Sequence, residues 1–304
     1  MRLRLFLPLL LIGLSACGSS SSTSSTTSIV ATPTTVEVVT PLTSTSLPRV
    51  GFPSTSINKQ TTTTVPVCSN KSSRGSLVVM AASSMVNAFA DVQSRFLELH
   101  PCVTDITYSY GSSATLAAQI VNGSPADVFV SASETTMNTV KNTGRTLSVD
   151  NFAKNIGEIM VSPNSKFTGR ISDIASLTDA VNSGIKVGLC VVTAPCGSLA
   201  NNILKNASTT RGVVADTESP SVEDLVTKIE MGELDAGIVY RSDCQYAQPR
   251  NLATCISIPS AVNSTTGYYI AVLTPRPIAQ QYVDYINGSD FKATLQVKFG
   301  FLAP

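Results

Sequence analysis

YSYGSSATLAAQIVNGSPADVFVSAS runs from Tyr108 to Ser133, and the order of its residue types decides the fold. ITYSY (106–110) reads as a strand of β-branched and aromatic residues. Gly111, Ser112 and Ser113 then turn the chain. From Ser113 onward Leu116, Ala117, Ile120 and Val121 recur at helical spacing, and Gly123 ends that helix. ADVFVSAS (126–133) is a second strand. Strand, helix and strand in so short a span call for parallel strands joined by a right-handed crossover. The corner between strand and helix offers hydroxyls and backbone N–H groups but no charged side chain.

The same grammar extends in both directions. SLVVMAA (76–82) is a continuous apolar run, as a strand covered on both faces requires. The segment after it carries Met85, Phe89, Val92, Phe96 and Leu99 at steps of four and three, one face of a helix that Ser83 or Ser84 can cap and Pro101 stops. Downstream, EIMVSP (158–163), KVGLCVV (186–192), AGIVY (236–240) and GYYIAVL (267–273) read as strands. PCGSLANNILKNA (195–207), SVEDLVTKIEMG (221–232) and the C-terminal segment from Pro277 read as helices. The fold class is therefore α/β, with two similar halves and a cleft between them. The runs 158–163 and 267–273 are the natural crossovers. The expected boundaries are 76–159 plus 263–304 for the first lobe and 160–262 for the second. Each lobe is a mostly parallel sheet flanked by helices, and ligands of such sheets lie outside the carboxyl ends of the strands.

The first 75 residues carry a different message. MRLRLFLPLLLIGLSAC (1–17) has a basic start, an apolar run too short to span a bilayer and small residues before Cys17, which marks a signal peptide. Leu14-Ser15-Ala16-Cys17 resembles the lipobox of bacterial lipoproteins, which implies diacylation of Cys17 and attachment to the outer face of the membrane. Residues 18–75 are rich in Ser, Thr and Pro without hydrophobic period, and read as a disordered tether. The 304-residue chain has a net charge of +1 and 13% charged residues, and lacks the basic stripe that nucleic-acid binding needs. Besides Cys17 it holds Cys68, Cys102, Cys190, Cys196, Cys244 and Cys255. An even set in an exported protein points to disulfides, and we favour sequential pairing among the 15 connectivities that six cysteines allow. There is no C-x-x-C pair and a single histidine, His100, which argues against zinc.

Four corners repeat the strand–turn–helix pattern: AASSM (81–85), YGSSAT (110–115), APCGS (194–198) and ESPSVED (218–224). Helix starts present unpaired N–H groups and a partial positive charge, so each suits an anion. Because the donors are neutral and no acceptor is supplied, the fitting anion has no proton of its own. Molybdate, tungstate and sulfate meet that condition near neutral pH, whereas hydrogen phosphate keeps a proton that needs an acceptor.

With these elements in view, the chain resembles the periplasmic molybdate-binding proteins of ABC transporters. The resemblance rests on LVVMAASSMVNAFADVQSRF, YSYGSSATLAAQIVNGSPADVFVSAS, VTAPCGSLA and ELDAGIVYRSDC, spread over Ser76–Pro304. It implies a two-lobed type II periplasmic-binding-protein fold that closes on molybdate, and also tungstate, and delivers it as a monomer to ABC permease subunits in the membrane. By position it implies Ser84 and Ser113 as hydroxyl and N–H donors, Cys196 and Val222 as backbone donors, and Tyr240 as a hydroxyl donor. The ligand would be held through its oxygens, without direct metal ligands and without a cofactor. Cys196 departs from the small residue usual at its position. Asp127 reads as structural, because a carboxylate would repel a dianion.

The same residues allow other readings. Taken singly, Ser84 and Ser113 are ordinary helix caps and Tyr240 ordinary packing. A serine hydrolase needs a base beside its nucleophile, and His100 is distant in sequence from every serine corner. Ser183-Gly-Ile-Lys186 spells S-x-x-K but lacks its partner motifs. An organic acid would call for an arginine; Arg241, next to Tyr240, should point away by strand alternation. Sulfate in the same fold is the principal alternative ligand.

Overall fold

The computed structural model describes residues 74–304. The signal peptide with Cys17, and the tether up to residue 73 with Cys68, lie outside the described residues.

The first half begins with β1 (Gly75–Ala82), a 3-10 turn over Ser83–Met85 and α1 (Val86–Leu99). It continues with β2 (Val103–Gly111), α2 (Ser113–Val121), β3 (Val128–Ser131) and α3 (Glu134–Lys141). The long strand β4 (Ser148–Val161) leads into α4 (Ile174–Val181), β5 (Val187–Cys190), α5 (Pro195–Asn206) and the single turn α6 (Arg211–Val214). Next come β6 (Thr217–Ser219), α7 (Val222–Glu230), β7 (Ala236–Tyr240), α8 (Arg241–Ala247) and β8 (Thr254–Ser257). β9 (Thr265–Val272), α9 (Pro277–Asn287) and α10 (Ser289–Phe299) close the chain.

The strands form one sheet in the order β2-β1-β3-β9-β4-β7-β5-β6, with β8 also on β4. β1 pairs parallel with β2 and β3, and β5 pairs parallel with β6 and β7. Each parallel triplet is flanked by an antiparallel neighbour, β9 beside β3 and β4 beside β7. The two halves meet along β4. Its residues from Ser148 to Ile156 pair with β9, those from Gly157 to Val161 pair with β7 on one edge, and those from Glu158 to Val161 pair with β8 on the other. The expected crossover at 158–163 is thus only the second part of a strand that starts ten residues earlier. SVDNFAKNIG lacks apolar periodicity because its register is set by β9, with an irregularity between Asn151 and Ala153.

Why the strands read as apolar runs is visible in the packing. Leu77, Val79 and Ala81 of β1 belong to the main core, whereas Met80 faces a second cluster with Leu116, Ala117, Ile120, Phe129, Met137 and Val140. Both faces are therefore covered. Phe89, Val92 and Phe96 of α1 are buried against the main core, and full burial of such side chains is worth about 1.5–3 kcal/mol each. The periodicity overreached at helix ends: Leu99 is 51% and Val121 40% exposed, because each lies in the last turn of its helix, where the core has ended.

Two sequential disulfides are present, Cys190–Cys196 and Cys244–Cys255. Cys102 is also disulfide-bonded. Cys244 is on α8 and Cys255 on β8. Arg241 begins a helix rather than extending β7. No helix of the described residues is long and apolar enough to cross a membrane.

Candidate functional site

All four serine- or proline-marked corners open at carboxyl ends of strands and converge on one cavity. It is lined by Ala82, Ser83 and Ser84 after β1, by Gly111, Ser112 and Ser113 after β2, by Pro195 and Cys196 at the start of α5, and by Ser221 and Val222 at the start of α7. Ala132 after β3 and Tyr240 at the end of β7 complete it. None of these residues is charged. The space between the lining atoms is about 190 Å³. The chamber therefore suits one small, compact solute.

The five residues expected from the sequence, Ser84, Ser113, Cys196, Val222 and Tyr240, all line this chamber, and all are buried. Reading Ser84 and Ser113 as caps is corrected by the structure. The 3-10 turn at Ser83, α2 and α5 start without any side-chain cap, and of the four only α7 has one, Ser221 Oγ accepting from the Asp224 N–H. The first N–H groups of a helix have no intrahelical acceptor, so three of these ends direct uncapped donors at a common point. The serine hydroxyls are engaged elsewhere. Ser113 Oγ accepts from the Ala132 N–H at 3.0 Å, which leaves its own proton to be donated. Ser84 Oγ lies 2.7 Å from Tyr268 Oη in a buried hydrogen bond.

Tyr240 is 1% exposed, and its buried hydroxyl sits beside the Tyr268 hydroxyl without a well-formed hydrogen bond among the described residues. Burial, with the Tyr268 hydroxyl and Asp243 nearby, holds its pKa well above the usual phenol value, so the group remains a donor. An unmatched buried hydroxyl costs about 1–3 kcal/mol, and an acceptor entering the chamber would relieve that cost. Behind it, Asp243 accepts from the Tyr240 N–H at 3.0 Å. Burial pushes that carboxyl up to about 8, so it bears little negative charge near neutral pH.

The α5 corner depends on Gly197. A Cβ there would meet the Val191 carbonyl oxygen at 2.0 Å, so only glycine lets the first turn of the helix lie against the end of β5. The Cys190–Cys196 bond fastens the same two segments.

Residues judged peripheral are peripheral. Asp127 accepts from the Val78 N–H, the Thr274 hydroxyl and Arg276 Nη1, at 3.0, 2.7 and 2.7 Å, and ties β1 to the segment after β9. His100 stacks on Phe96 and is half-buried. Ser183 and Lys186 are exposed at the turn into β5. None of these, nor Arg241, lines the chamber. Sequence reasoning missed Ser83, Ser112 and Ser221 as lining residues, although they sit in the corners it singled out. It also missed Tyr268, for which no local signal existed: GYYIAVL reads as packing throughout.

The family model for bacterial extracellular solute-binding proteins matches residues 77–302. The chain belongs to that family. Among curated relatives of this solute-binding protein is the molybdate-binding protein ModA of Mycobacterium tuberculosis, 32% identical over 233 residues, covering 75% of this chain and 85% of the relative. Among solved structures, the periplasmic molybdate-binding protein of Azotobacter vinelandii superposes with a TM-score of 0.64 at 19% identity, covering 75% of this chain and 99% of that one. The sulfate-binding protein SubI of M. tuberculosis gives 0.63 at 16% identity, covering 75% and 86%. These two structures share the periplasmic-binding-protein fold with this solute-binding protein, as the sequence led us to expect.

Proposed function

We propose that this solute-binding protein captures molybdate outside the cytoplasm for an ABC importer, and that tungstate is taken by the same site. The observation that carries the reading is the convergence of uncapped helix starts, two serine hydroxyls and the unmatched Tyr240 hydroxyl on a chamber with no charge and little free volume. Ser84 and Ser113 donate through hydroxyl and N–H, Cys196 and Val222 through N–H, and Tyr240 through its hydroxyl. Hydrogen bonds to a charged group contribute about 1.5–3 kcal/mol each, so on the order of five offset association costs and leave micromolar binding or tighter. The role is binding, not catalysis. The metal arrives as cargo inside its oxide, with no cofactor.

Lobe 1 comprises 76–159 and 263–304, and lobe 2 comprises 160–262. The division of β4 between β9 and β7 supports that boundary, and closure is a hinge motion in β4 and β9. The signal peptide and Cys17 place the chain, a monomer, on the outer face of the membrane through a lipid anchor, where the tether lets it reach its permease subunits.

Sulfate is the second reading, favoured by its own lack of a proton and by the fold shared with SubI. Parallel calorimetric titration of residues 18–304, which keep every cysteine after Cys17, with molybdate, tungstate, sulfate and hydrogen phosphate decides between them. Molybdate and tungstate should bind at least about a hundredfold more tightly than sulfate, a gap of about 2.7 kcal/mol. Tighter sulfate binding would reassign the ligand, and silence towards all four would end the oxyanion reading.

A further inference from the structure

Tyr268 lies in β9, outside the set of chamber-lining residues, and is fully buried. Its ring is wedged edge-on against Phe152, Tyr240 and Phe301, with centroids 6.3, 6.0 and 5.1 Å away. Its hydroxyl shares the 2.7 Å hydrogen bond with Ser84 Oγ, and the side chains of Asn155 and Tyr240 flank it. Asn155 is itself fully buried, accepting from the Ile156 N–H and donating to Ser242 Oγ.

We infer that Tyr268 is a positioning residue that sets proton direction at Ser84: it donates its hydroxyl proton to Ser84 Oγ, so that the Ser84 proton is turned into the chamber and the site favours oxyanions that carry no proton. The inference rests on the oxyanion reading and adds to it a residue that never touches the ligand. Two arguments support the direction. A phenol is a stronger donor than an aliphatic hydroxyl. The neighbouring corner also uses the same device with no ambiguity, because the Ala132 N–H must donate to Ser113 Oγ. In both corners the serine oxygen is fed a hydrogen from behind, and the proton of that serine is turned outward. A hydroxyl released from its rear donor could instead accept from a protonated oxyanion, and the rule against hydrogen phosphate would weaken.

The test is Tyr268→Phe, which keeps the ring and removes the hydroxyl. Wild type and variant are titrated by calorimetry with molybdate, sulfate and hydrogen phosphate at one pH, alone and in the Ser84→Ala background. We expect molybdate and sulfate affinity to fall together by about tenfold, while hydrogen phosphate does not weaken and the molybdate-to-phosphate ratio narrows by at least that factor. In Ser84→Ala the second substitution should change nothing further, because Tyr268 acts only through Ser84. Equal weakening of all three anions would mark a merely structural tyrosine and overturn the inference, as would unchanged affinities or an undiminished effect in Ser84→Ala. Should Tyr268→Phe fail to fold, Ser84→Ala alone decides: it must widen access to no protonated anion, and a gain in phosphate binding there overturns the inference. Wild-type protein that binds none of the anions would instead overturn the underlying oxyanion reading.

Discussion

The Ala132 N–H donates to Ser113 Oγ across 3.0 Å, joining the end of β3 to the start of α2. Side chain and backbone thus serve different ends at this corner: the oxygen is anchored, and its proton faces the chamber. Replacing Ser113 with Ala should weaken molybdate binding at least about tenfold, equivalent to about 1.4 kcal/mol. It also orphans the Ala132 N–H, at a cost of about 1–3 kcal/mol in stability. The protein should still unfold cooperatively. Calorimetry and thermal denaturation read the two effects separately, and full retention of affinity would remove Ser113 from the site.

The bond between Cys190 and Cys196 spans six residues. Loop-closure entropy for so short a span is worth about 2 kcal/mol. The double variant Cys190→Ala, Cys196→Ala should lower urea-unfolding stability by about that amount. Anion affinity should fall by less than in Ser113→Ala, because the backbone N–H at position 196 survives and only its placement loosens. An affinity loss larger than that of Ser113→Ala would show that the bridge, not the serine, dominates.

Gly197 faces the Val191 carbonyl, and the 2.0 Å approach of an added Cβ cannot be relieved by a side-chain shift. Gly197→Ala should therefore displace the start of α5. We expect a loss of about 2 kcal/mol or more in stability, together with weakened molybdate binding. Gly212, around which an added Cβ meets nothing, is the matched control, where alanine should change neither measurement.

Asp243 carries a pH signature. Its folded pKa is raised to about 8 from 3.8, first by burial and further by Glu230 and Glu223, against the lowering effect of the Tyr240 N–H. The folded state thus holds this proton more tightly than the unfolded chain. The resulting stabilisation is complete below the unfolded value and is lost as pH rises through the folded one. Denaturant midpoints should fall between pH 5 and pH 8. Asp243→Asn, which keeps an acceptor for the Tyr240 N–H, should flatten that slope. An unaltered slope would assign the pH dependence to other groups.

What could be read from the chain alone was whatever depends on local pattern. Apolar runs gave the strands β1, β5, β7 and β9, helical spacing gave α1, α2, α5 and α7, and repeated small-residue corners gave the donors. The four corners were legible because a helix start announces itself in a few residues, whereas Ser84, Ser113, Cys196, Val222 and Tyr240 were singled out by the resemblance to molybdate-binding proteins. The first part of β4 was not legible, since its register is dictated by β9, far away in sequence. α3 and α8 carry too few apolar residues to announce themselves.

Tertiary structure alone decided how the hydroxyls are used. Nothing in AASSM or GSSAT tells a cap from a donor; that depends on Ala132 and Tyr268 arriving from other strands. Tyr268 is 184 residues from Ser84, and no periodicity encodes such a meeting. Sequence determined which groups carry hydrogens, because that is covalent chemistry and local turn geometry. The fold determined where each hydrogen points, because direction is set by partners that only the packed sheet brings within reach.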